Sequence, residues 1–210
     1  MTILPIRLFP DPILRQKTKK IEEINKEIIE FAYNMLETMQ SLKGVGLAAP
    51  QVGKLIKLIT IQVPENKPMI MINPKIDNAS GTRKVEEGCL SVPGFTGLIE
   101  RSMTIDASYL DLNKSKIKLS ATELLSQAIE HEIDHLNGIV YLDHLKSHDN
   151  LYKTGVTPNQ VHWHDVGYKI FINKDKSSKD DLLVNEVIET KIKLSEIKSD
   201  SSIDEASVDI

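Results

Sequence analysis

Two histidines four residues apart, His131 and His135, sit on one apolar-striped segment and constrain this chain more than any other feature. Leu125, Ala128, Ile129, Ile133 and Leu136 recur at helical spacing up to Gly138, and Ser120 and Glu123 ahead of them have capping-box spacing. The segment is therefore expected to be a helix with an inward face. Four residues at about 100° each bring His135 back to within roughly 40° of His131, one turn along the axis. Two imidazoles so placed can grip one metal ion. Glu132, one step round the helix, cannot easily share that coordination direction but can reach a water on the ion. The plain alternative is that two histidines and two acids decorate a partly solvated face, and a third ligand would decide between the two.

The chain has a single cysteine, Cys89, which excludes an intramolecular disulfide and leaves an inert core thiol, a nucleophile or a metal ligand. It lies in Glu86-Glu87-Gly88-Cys89-Leu90-Ser91-Val92-Pro93-Gly94, where glycine and proline hold the backbone in a set shape. A thiolate with two imidazoles leaves one tetrahedral position open, which a hydrolytic metal requires. A nucleophilic cysteine would need its own histidine base and oxyanion hole, and would not explain a glutamate between two histidines one turn apart. Zinc peptidases with this helix motif take their third ligand downstream, where His144, His148, His162 and His164 are available.

Around this helix the chain reads as one domain with an appendage. Ile24, Ile28, Phe31, Ala32, Met35, Leu36 and Met39 predict an N-terminal core helix ending before Gly44. Pro10-Asp11-Pro12 predicts a turn leading towards it, and Gly44 to Gly53 is too rich in glycine and small residues for regular structure. Lys57 to Val63 and Met69 to Ile72 fit a strand pair, and Met103 to Leu110 with Lys116 to Leu119 fit a hairpin turning at Asp111-Leu112-Asn113. The fold class expected is α+β, with antiparallel strands surrounding a central metal-binding helix. A catalytic domain is expected over 1–152 and an extension over 153–210, in which Lys174 to Asp181 reads as a polar linker and Ser199 to Ile210 as disordered.

No apolar run approaches the roughly 18 residues that a membrane span needs. A formal charge of −4 provides no basic field for nonspecific nucleic-acid binding. Met1 to Pro10 lacks the small-residue cleavage site of a secretory signal, so a cytoplasmic protein is expected.

Three segments occur in a fixed order: Gly44-Val45-Gly46-Leu47-Ala48-Ala49-Pro50-Gln51, Glu87-Gly88-Cys89-Leu90-Ser91 and His131-Glu132-Ile133-Asp134-His135-Leu136-Asn137-Gly138. Together with Pro10-Asp11-Pro12-Ile13-Leu14-Arg15 they resemble the compact bacterial form of the peptide deformylase family, over about Ile3 to Leu145. The resemblance implies removal of the formyl group from the N-terminal methionine of new proteins, with release of formate. It implies one divalent ion on Cys89, His131 and His135, with Fe(II) as the family's native metal; zinc, nickel or cobalt suit the same donors. It assigns proton transfer to Glu132, and donation to the developing oxyanion to the Gln51 side chain and the Leu90 backbone N–H. Gly46 and its neighbours would line the peptide as an added strand. Val45, Val85, Leu124 and Ala128 would wall the methionine pocket, and Glu87 with Arg101 would support the site.

The implied partners are N-formylmethionyl nascent peptides, with transient ribosome contact, no specific nucleic acid, no membrane and a monomeric chain. Two departures from the family pattern stand out. Glu130 occupies a place where glutamine commonly precedes the His-Glu pair, and Phe95-Thr96-Gly97 occupies a stretch where some members carry an arginine that helps hold the substrate backbone. Two other function classes fit the same ligands: a metallopeptidase acting on longer amides, and a noncatalytic module in which His144 closes the fourth position.

Overall fold

The computed structural model describes residues 2–64 and 66–154, so His162, His164 and the expected linker and C-terminal segments lie outside the described residues. The first helix, α1 (Lys26–Ser41), begins where the Asn25 side chain accepts from the Ile28 backbone N–H at 3.0 Å. Phe31, Ala32, Met35, Thr38 and Met39 form its buried face, one turn apart as the apolar spacing predicts. It ends where Lys43 takes a positive φ of 56° and the Gly44 N–H returns to the Met39 carbonyl at 2.9 Å.

The segment after α1 is more regular than its composition predicts. Gly46–Ala48 forms a short strand, β1, and Ala49–Val52 a single 3-10 turn that carries Gln51. The expected strand pair is β2 (Leu58–Ile61) with β3 (Met69–Ser80), and the expected hairpin is β6 (Thr104–Leu110) with β7 (Lys116–Thr122). These form one antiparallel sheet in the order β1-β2-β3-β6-β7. β3 is far longer than its apolar start, and two register shifts against β6 bend it. At Asn73, where φ is 51°, the side-chain amide closes two 2.8 Å hydrogen bonds on the Ile21 backbone.

A second, three-stranded sheet holds β4 (Arg83–Cys89), β5 (Val92–Arg101) and β8 (Leu151–Lys153) in the order β4-β5-β8. It did not stand out from composition, because Glu86, Glu87, Gly94 and Gly97 break the apolar alternation by which strands are recognised. β8 runs across the expected domain boundary between 152 and 153 and is part of this sheet.

The second helix, α2 (Glu123–Leu136), packs on the five-stranded sheet and reaches β4 of the second sheet through Gln127 and His131. Its start differs from the capping-box expectation. Ser120 belongs to β7 and donates its hydroxyl to Asp106 at 2.5 Å, and the helix begins directly after the strand at Glu123, whose φ is 53°. Ala128, Ile129 and Leu136 pack beneath the five-stranded sheet against Ile59, Ile61, Met71 and Ile105. Ile129 and Leu136, at 0% and 1% exposure, each contribute about 1.5–3 kcal/mol of burial. Gly138 closes the helix at φ 76°, where a Cβ would stand 2.5 Å from the Arg15 carbonyl oxygen. The helix is thus held against the N-terminal arm as well as both sheets. Among the described residues no helix is long and apolar enough to cross a membrane.

Candidate metal centre and active site

The inner face of α2 carries His131 and His135, buried at 7% and 1% exposure, and the tip of the β4–β5 hairpin brings Cys89 to them. His135 Nε2 lies 3.2 Å from Cys89 Sγ and 3.2 Å from His131 Nε2, and all three ligand atoms lie within 4.8 Å of one another. Tetrahedral coordination at about 2.0–2.3 Å places neighbouring N and S donors roughly 3.3–3.6 Å apart, so the donor set fits one ion. Three lone pairs converging in a buried space also repel unless a cation or proton sits among them. Of the rival third ligands, His144 turns instead to Asp134, its Nε2 2.8 Å from Oδ2, and neither His144 nor His148 belongs to the metal-holding group.

The sulfur is held by two donors. Gln51 Nε2 and the Ser91 backbone N–H each point at Sγ from 3.4 Å, which fixes the sulfur in place. Gln51 is itself fixed. Its Oε1 accepts from the Ala48 N–H at 2.8 Å while Nε2 also reaches the Ser91 hydroxyl at 3.2 Å, so a side chain from an unremarkable loop sequence is buried at 1% exposure beside the metal donors. The sequence places Ser91 in the cysteine motif but gives it no role there.

Behind His131 lies a buried relay. His131 Nδ1 meets Glu87 Oε1 at 2.5 Å, which turns Nε2 towards the ion position. Arg101 grips the same carboxylate with two bonds, at 2.6 and 3.0 Å, and reaches Asp134 at 2.6 Å. Burial alone would raise the Glu87 carboxyl, but the hydrogen bonds from His131 and Arg101 outweigh it and hold the group at about 2. Asp134 and His144 are members of this chain that sequence reasoning did not assign to it. Asp134 stands three residues after His131, close enough in helical phase to share its side of α2.

Glu132 is not among the metal donors. It is buried at 3% exposure, its Oε2 has no hydrogen-bond partner among the described residues, and burial, opposed in part by His131 and Arg101, pushes its carboxyl up to about 7. A buried carboxyl that gains and loses a proton near neutrality is suited to take a proton and give it back. Gly46 makes room for it: a Cβ there would stand 2.3 Å from Glu132 Oε1. Gly46→Ala is therefore expected to displace the carboxylate and lower kcat by about 10-fold or more, with a melting temperature close to that of the parent chain. Matched kcat and melting measurements check this.

These groups open onto a cleft of about 400 Å³, within the range of small-ligand sites. Val45, Gly46, Leu90, Leu124 and Ala128 line it, and Val45 and Leu124 remain 38% and 40% exposed, an apolar rim open to a ligand. Val85 differs from expectation. It packs at 7% exposure with Leu14, Ile99 and Tyr141 in the core behind β4, outside the cleft lining, because strand alternation turns it away from the face that Glu86 and Gly88 present. Glu130 also points away from the metal donors. It accepts from the Ser102 N–H and hydroxyl at 3.0 and 2.8 Å, clipping α2 to the β5–β6 turn.

The polypeptide deformylase family model matches residues 3–151, a span that stops three residues short of Thr154, which also lines the cleft. A peptide deformylase of Dehalococcoides mccartyi is 42% identical over 156 residues, covering 74% of this chain and 93% of its own. One from Endomicrobium trichonymphae is 46% identical over 147 residues, covering 69% and 88%. Among solved structures, the peptide deformylase of Thermotoga maritima superposes with a TM-score of 0.68 at 34% identity, covering 70% of this chain and all of its own (100%). That of Ehrlichia chaffeensis in complex with actinonin superposes with a TM-score of 0.69 at 38% identity, covering 70% and 91%.

Proposed function

The chain belongs to the polypeptide deformylase family, and from that premise we propose how its own residues carry the reaction. It is a metal-dependent hydrolase that removes the formyl group from the N-terminal methionine of nascent proteins. Cys89, His131 and His135 would hold the ion, and Fe(II) is the metal we propose, on the family's precedent alone, since the same donors suit zinc. A divalent ion there supplies a Lewis acid for the formyl oxygen and lowers the pKa of a water.

Glu132 takes the proton of the attacking water and then delivers it to the leaving amine as the formyl C–N bond breaks. Gln51 Nε2 and the Leu90 N–H donate to the oxyanion as it forms. Val45, Leu124 and Ala128 receive the methionine side chain, and Gly46 lets the edge strand β1 approach the reacting centre. Glu87, held by Arg101, positions His131. The catalytic unit we propose runs through β8 and Thr154. A cytoplasmic monomer with transient ribosome contact completes the proposal.

The observation that carries this reading is the convergence of three donors beside a buried carboxyl, Glu132, that is not one of them. Anaerobically purified protein is expected to release formate from formyl-Met-Ala-Ser while sparing its acetylated analogue. Absence of formate from protein carrying stoichiometric metal would sink the reading, and equal cleavage of the acetylated peptide would favour a metallopeptidase.

A further inference from the structure

Thr154 stands on the cleft wall three residues beyond the end of the family-model match. β8 lies antiparallel to β5, with Phe95 opposite Lys153, Thr96 opposite Tyr152 and Gly97 opposite Leu151. The Thr154 N–H continues the ladder to the Gly94 carbonyl at 2.9 Å, so its backbone is fixed by the sheet. Its hydroxyl lies 3.2 Å from that of Thr96, and both side chains line the cleft that holds Cys89 and Glu132. In such a pair one hydroxyl donates to the other, which leaves one O–H hydrogen and free lone pairs to face a ligand.

We infer that Thr154, paired with Thr96, is a substrate-binding residue that hydrogen-bonds the peptide backbone downstream of the formylated methionine. The inference rests on the deformylase reading of the same cleft. β8 is two strands away from β4, which carries Cys89; at about 4.8 Å per strand, Thr154 is roughly 10 Å away, the length of about three extended residues. A substrate with its formyl group at the metal donors therefore reaches Thr154 only from about its third residue. The opposite wall is β1, which among the described residues pairs only with β2 and leaves its other edge to an extended peptide. An uncharged hydroxyl pair recognises a backbone amide without choosing among side chains, which suits substrates that share only their first residue.

The test compares kcat/KM for formyl-Met-Ala and formyl-Met-Ala-Ser-Ala in the full chain, in Thr154→Val and in Thr154→Ser. Valine keeps the branched shape that suits a strand end and removes the hydroxyl, whereas serine restores it. In Thr154→Val the ratio of the long to the short substrate is expected to fall by about 3- to 10-fold through KM, as for one lost hydrogen bond, and Thr154→Ser is expected to restore it. A ratio unchanged in Thr154→Val, or losses equal at both lengths, would overturn the inference, the latter by showing a purely structural role. Formate release from formyl-Met-Ala by the parent chain tests the underlying reading separately: its absence sinks that reading, whereas an unchanged ratio sinks the role of Thr154 alone.

Discussion

Glu132→Gln is expected to retain the metal and to lose about 10²- to 10⁴-fold in kcat, because ligation and proton transfer reside on different residues. Glutamine has the shape of the carboxylate, so the close approach of β1 at Gly46 is not disturbed. It has no site of comparable basicity, so the water proton has nowhere to go and the leaving amine has no donor. The fold should tolerate the change, since the replaced carboxyl is buried with one oxygen unpartnered. Metal stoichiometry and formate release measured on one preparation separate the two roles. Near-normal turnover with full metal would remove Glu132 as the base, and loss of metal would make it a ligand.

The elements legible in the sequence were those whose burial follows a single period. α1 and α2 bury one stripe each, β2 precedes Pro64, and the β6–β7 hairpin turns at Asp111-Leu112-Asn113. β4 and β5 were not legible, since their residues serve two masters: Val85 and Ile99 face the core while Glu87 and Arg101 are buried as an ion pair in the same strands. A buried charge reads as a surface charge until its partner is placed beside it. The start of α2 was misjudged for a related reason. Ser120 and Glu123 have capping spacing, but strand pairing with β6 claims the chain through Thr122.

In the site, ligand identity was local information and support was not. His131, Glu132 and His135 share a helical turn, so spacing alone places them together. Cys89 came from the motif that surrounds it. Gln51, 38 residues before Cys89, gains its meaning only when the 3-10 turn after β1 sets it against the sulfur. Ser91 lay in the cysteine motif with no role of its own, His144 was readable only as a rival ligand, and Thr154 had no motif signal. They act through contacts across 40, 10 and 58 residues of chain, which only the tertiary fold brings together.

Arg101→Ala is expected to destabilise the fold by about 3–5 kcal/mol, the usual cost of removing one partner from a buried ion pair. Arg101 and Glu87 are both 4% exposed at their side chains, and Arg101 also neutralises Asp134. Without it the Glu87 and Asp134 carboxylates stand behind the His131 ligand with no guanidinium between them. The pH dependence separates this from a loss of packing. Glu87 is held at about 2 in the fold against an ordinary 4.5, a depression that contributes stability above pH 4.5 and loses it as pH falls through 2. That depression is worth about 3 kcal/mol in all and is shared between His131 and Arg101. The difference in unfolding free energy between parent and variant should therefore be largest above pH 5 and shrink towards pH 2, as Glu87 becomes protonated in both. Arg101→Met, which keeps most of the aliphatic stem, should show the same pH trend with a smaller packing loss. Denaturant titrations of the metal-free proteins between pH 2.5 and 7 measure it. A difference independent of pH would assign Arg101 to packing and leave His131 as the main group holding Glu87 ionised.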